Sequence, residues 1–130
     1  MTTDANHSKL FKTLCIIGSS LLIIMAGLHG SGTTYLTEKI NQSNASSLIK
    51  EVFPVLFVLP SIELLGLAAF SLLTLTMKSE VEKVLALIVI LIVVNAALAF
   101  YLGALIPGLL IVGAASCFAF AGWERSKRQA

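Results

Sequence analysis

Four blocks of apolar residues alternate with short polar stretches along the chain. A helix needs about 20 mostly apolar residues to cross the hydrocarbon layer. The first block runs over about 10–30, with LCIIGSSLLIIMAGL at its centre. The second covers about 52–77 and contains Pro54 and Pro60. Residues 84–123 carry no charge and are too long for one span, so they predict two helices, about 84–102 and 106–123. Gly103, Pro107 and Gly108 mark a tight turn between them, with Pro107 in the first turn of the last helix. The segment 31–51 is the only sizeable connection. Its Leu36, Ile40, Leu48 and Ile49 predict that it rests on the membrane surface as short amphipathic helices. The expected fold is all-α, an integral membrane bundle of four transmembrane helices in a single domain of residues 1–130.

Composition agrees with this pattern. The chain is 57% hydrophobic and 12% charged, with a mean hydropathy of +0.93. Soluble domains average roughly 45–50% apolar and about 25% charged residues, and a chain this short buries too little surface to hide the excess. The lipid bilayer is therefore the expected partner. The first block also resembles a signal peptide, with Lys9 and Lys12 before it and Gly30 and Gly32 after it. It is expected here as a retained span.

Charge orients the spans. Seven cations, Lys9, Lys12, Lys78, Lys83, Arg125, Lys127 and Arg128, fall on the side of both termini; only Lys39 and Lys50 fall opposite. The excess of Lys and Arg on the cytoplasmic side predicts cytoplasmic termini in the cell membrane and an external 31–51 segment. Trp123 stands at the inner interface. The cations sit at span ends rather than in a patch, which excludes nucleic acid.

Glu63 is the most informative residue. It stands about eleven residues into the second span, hence ~16 Å deep at 1.5 Å per residue, where a carboxyl costs about 2.5–3.5 kcal/mol to insert. Such a group is carried protonated or hydrogen-bonded and faces a bundle interior or a cavity. A structural hydrogen bond between helices is the plainer reading; a functional site is the preferred one. Pro60, three residues earlier, removes one helical hydrogen bond and predicts a kink that opens space near Glu63. Asn95, His29 and Tyr101 lie in the outer half of the spans or at its border, and with Glu63 they form the candidate set for binding a ligand or proton. For Asn95 a helix–helix hydrogen bond is the commoner role, for His29 a solvated interfacial one, and Tyr101 reads as an interface anchor. Ala26-x-x-x-Gly30, Ala115-x-x-x-Ala119 and the pair Gly66 and Ala69 are small-residue patches that serve close helix packing or a face for another subunit.

Catalytic motifs are missing: the chain has no G-x-S-x-G, H-E-x-x-H, P-loop or dinucleotide fingerprint. Cys15 and Cys117 both lie in apolar runs and read as small hydrophobes. With two histidines in all, no metal site, haem or other cofactor is expected.

The second span reads Pro60-Ser61-Ile62-Glu63-Leu64-Leu65-Gly66-Leu67, and the first ends in Ala26-Gly27-Leu28-His29. Together with the order of one span, an external loop and three more spans, this resembles the DoxX-like family. There an acidic residue precedes a Leu/Gly-rich stretch, and His29 takes the place of that family's Gly-x-x-Lys ending. The resemblance covers the whole chain and implies an accessory membrane subunit associated with quinone or sulfur redox chemistry. Of the functional positions, Glu63 is the one that carries over.

Three functions remain open on the residues. The favoured one is an accessory or assembly subunit of a larger membrane complex, including a redox one. The second is a small oligomeric transporter or channel with Glu63 as an intramembrane proton or cation site. The third is a membrane enzyme acting on a lipid or quinone, for which a single carboxylate is a thin basis. Other membrane subunits or further copies of the chain are the expected protein partners.

Overall fold

A computed structural model describes the backbone of residues 2–127 and the side chains of residues 9–127. Five helices follow in order: α1 Thr2–Ser31, α2 Thr33–Asn41, α3 Ser47–Leu73, α4 Val81–Tyr101 and α5 Leu105–Ser126. Four segments are long and apolar enough to cross a membrane: α1 with α2, then α3, α4 and α5. The chain is thus an all-α membrane bundle of four spanning helices. Arg128, counted above among the orienting cations, lies outside the described residues.

Element ends follow local chemistry. Residues 31–51 are mostly helical, leaving only 42–46 as irregular connection. Gly32 separates α1 from α2, although the amide of Gly32 still bonds the His29 carbonyl at 3.2 Å. Along α2, Leu36 and Ile40 are half-buried and Tyr35 is exposed. The Ser46 side chain caps α3 by accepting from the Ile49 amide, so this helix starts earlier than the apolar run does. It ends at Leu73, short of the expected Met77, in a tightened turn where successive amides of Leu75, Thr76 and Met77 reach back three residues. Glu80 precedes α4 with φ +60°, a left-handed conformation that costs a non-glycine residue free energy. Pro54 and Pro60 both lie within the continuous helix α3. Pro107 occupies the first turn of α5, where its missing N–H has no helical partner to lose.

Helix α5 packs on α1 and α4, and α1 also packs on α3. Of the four seams between neighbouring spanning helices, α3–α4 is the slightest, although a short turn joins the two. The bundle is therefore tight on three seams and loose on the fourth.

Glycines set the close approaches. A Cβ on Gly18 of α1 would lie 2.7 Å from the Phe118 ring of α5, and Phe118 is fully buried. A Cβ on Gly108 would lie 2.6 Å from the Phe100 ring of α4. Where lipid removes the hydrophobic drive, such interlocking supplies the attraction between helices. The α1–α3 seam adds polar contacts absent from the sequence reading. Ser19 donates to the Cys15 carbonyl at 2.7 Å and Ser71 to the Ala68 carbonyl at 2.8 Å. The two hydroxyls also meet each other across the seam. Thr74 donates to the Ser71 carbonyl at 2.6 Å, with the Cys15 thiol 3.9 Å from its hydroxyl.

The small-residue patches divide. Ala26 and Gly30 do face α3, where a Cβ on Gly30 would meet Ser61 at 3.4 Å. Ala115 is buried, whereas Ala119 is exposed. The buried stripe of α5 runs instead through Ile111, Ala114, Ala115, Phe118 and Ala121. Gly66 meets nothing within 4 Å of a built Cβ, and Ala69 is exposed. That patch faces out of the bundle.

Candidate functional site

The Asn95 amide nitrogen on α4 donates to Glu63 Oε1 on α3 at 3.0 Å. The same nitrogen donates to the Leu91 carbonyl one turn earlier, also at 3.0 Å, which fixes the side chain against its own helix. Glu63 Oε2 and Asn95 Oδ1 accept from no group among the described residues. The pair bridges the loose α3–α4 seam. Asn95 is half-buried there and Glu63 is exposed.

This corrects the expected geometry. A mid-depth carboxyl was expected to face the bundle interior or a cavity; Ser61, Leu64, Leu67, Ala68 and Ser71 form the buried side of α3, and Glu63 is exposed at the α3–α4 seam instead of enclosed in the interior. One turn further along α3 comes Gly66, with open space before it. The helical repeat places residues three apart on one face. A carboxyl bonded only at its α4 edge, by Asn95, thus lies one turn from an open strip at Gly66.

The other candidates do not converge on Glu63. His29 Nε2 lies 3.0 Å from the Phe57 carbonyl of α3, and its ring stacks on Phe57 at 4.4 Å between centroids. Phe53 continues the stack at 5.6 Å from Phe57. Pro60 has no N–H, which leaves the Leu56 carbonyl without its helical donor; His29 reaches the adjacent carbonyl along the same turn. His29 therefore ties the end of α1 to α3 as a structural clamp. Tyr101 ends α4 with 87% of its surface exposed, and no described residue bonds its hydroxyl. Of the four candidates, the fold joins Glu63 and Asn95 alone.

Two features escaped the sequence reading. One is the Ser19–Ser71 seam, whose signal was present as hydroxyl residues inside apolar spans. The other is the corner where the Arg125 guanidinium donates to the Lys78 carbonyl at 3.3 Å, joining the end of α5 to the α3–α4 turn. Among the described residues no three His, Cys, Asp or Glu side chains are grouped to hold a metal. Comparison with family models, with curated proteins and with solved structures finds no match for this chain.

Proposed function

We propose that the chain is an accessory or assembly subunit that docks on a larger membrane complex through the outer face of α3. The observation that carries this reading is the Glu63 carboxyl, exposed on the bundle surface with one oxygen unpartnered and with open space at Gly66 one turn away. Facing lipid, such a carboxyl at mid-depth is costly. A partner helix packed on Gly66 would supply the missing hydrogen bond and remove that cost, since small residues let backbones come close enough for polar contacts. The alternative of a small oligomeric transporter or channel would set Glu63 on a path between copies of the chain; it draws less support, because among the described residues Asn95 alone joins the carboxyl and no further polar side chain extends a path from it.

In this reading the protein lies in the cell membrane with both termini in the cytoplasm, as the charge bias supports. The resemblance of Pro60–Leu67 to the DoxX-like pattern points the same way, towards a subunit of a redox complex.

Native mass spectrometry of the protein extracted gently from its own membrane tests the proposal. Wild type should carry a second, different subunit. Gly66→Leu should abolish that mass, and Glu63→Gln should weaken its retention several-fold while the chain stays in the membrane. Wild type that emerges free of other subunits, or full retention in both variants, would refute it.

A further inference from the structure

The loose α3–α4 seam holds a cleft of about 400 Å³. It lies on the terminal side of the Glu63–Asn95 pair, beginning one turn away at Leu67 and Leu91. Leu67, Phe70 and Leu73 line it from α3, and Leu87, Ile88 and Leu91 line it from α4. Both sets recur at helical spacing, so two apolar stripes face each other across a gap. Leu67 and Ile88 form its buried floor, while Phe70, Leu73 and Leu87 are exposed walls. The volume falls within the ~300–1,000 Å³ of small-molecule sites. Left empty, such a gap would forfeit the dispersion contacts of its lining.

The mouth of the cleft is formed by Met77 and Val84, each next to a lysine, Lys78 and Lys83. The Lys83 ammonium is paired with Glu80 at 2.5 Å. That of Lys78 is exposed and makes no ion pair among the described residues. Arg125 adds a second cation to this corner through its bond to the Lys78 carbonyl. An apolar slot reaching from the membrane surface to mid-depth, with an unpaired cation at its surface end, has the polarity of a phospholipid standing in its leaflet.

We propose that this cleft is a specific site for an anionic phospholipid of the leaflet on the side of both termini. One acyl chain fills the space between α3 and α4, and the phosphate head rests on Lys78. The site goes beyond the docking proposal and is independent of it, since it uses neither Glu63 nor Gly66. Basic groups at the interface favour anionic over zwitterionic heads by about fivefold each.

The test offers the purified protein equimolar phosphatidylglycerol and phosphatidylcholine with identical acyl chains and reads bound lipid by native mass spectrometry. Wild type should retain phosphatidylglycerol about fivefold over phosphatidylcholine. Lys78→Gln, a surface change that leaves the core untouched, should bring the two towards parity. Leu87→Trp, which fills the cleft from an exposed wall, should reduce retention of both. Equal retention of the two lipids by wild type would overturn the proposal, as would a preference that survives Lys78→Gln. Lipid retention undiminished by Leu87→Trp would also overturn it, because the chain would then lie elsewhere.

Discussion

Replacing Gly18 by alanine tests how the bundle is held together. The added methyl carbon would sit 2.7 Å from Cε1 and Cζ of Phe118, well inside the ~3.5–4.0 Å of favourable carbon–carbon contact. Phe118 is fully buried, as are Cys15 and Leu22 on the same face of α1, and the open side of the ring is the cleft it lines with Ala86, Val89 and Gly122. Relief must come from separating α1 and α5 or from an off-rotamer ring, and overpacking of this kind costs about 1–3 kcal/mol. Alanine also helps a helix by up to ~1 kcal/mol relative to glycine, which would mask part of the loss. Gly66→Ala supplies the reference, because it makes the same exchange within a helix and meets nothing within 4 Å. The stability difference between the two variants, Gly18→Ala below Gly66→Ala, should therefore be about 1–3 kcal/mol, roughly a 5- to 150-fold change in the unfolding equilibrium. Titration of detergent-solubilised protein with sodium dodecyl sulfate, followed by Trp123 fluorescence, measures it. Adding Phe118→Leu to Gly18→Ala should recover part of the loss, a non-additive result expected of touching residues. Matching stabilities for the two alanine variants within ~0.5 kcal/mol, or strict additivity with Phe118→Leu, would refute the α1–α5 interlock.

The same titration checks two further outcomes. Ser71→Ala removes the hydroxyl that meets Ser19 across the α1–α3 seam, but Ser19 keeps its bond to the Cys15 carbonyl; the loss should be about 0.6 kcal/mol and no more than about 1.7. Gly103 turns the chain between α4 and α5 with φ +76° and has open space around it, so Gly103→Ala should cost about 1–2 kcal/mol from backbone strain alone.

How much of the molecule could be read in advance depends on which physical signal is involved. The number of spans was legible because crossing a membrane demands long, nearly uncharged helices, whatever they pack against. The short α4–α5 turn was legible for a related reason, since glycine and proline act through local backbone geometry at Gly103 and Pro107. Glu63 stood out by depth alone, and Asn95 lay at a compatible height on the next helix.

Which way each side chain faces was a different matter. In a soluble bundle a polar stripe marks the outer side of every helix. Here lipid and core are equally apolar, so Ala115 and Ala119 look alike in sequence although only Ala115 is buried. Gly18 and Gly66 look alike too, yet one receives the Phe118 ring and the other faces open space. Side-chain shape decides such choices, and hydropathy carries no record of shape. The exposure of Glu63 and the attachment of His29 to Phe57 follow from that packing. The sequence by itself determined the four spans and the depth of the carboxyl within them. Only the tertiary structure decided that the α3–α4 seam stays loose, because α5 packs between α1 and α4 while α3 packs on α1 rather than on α4.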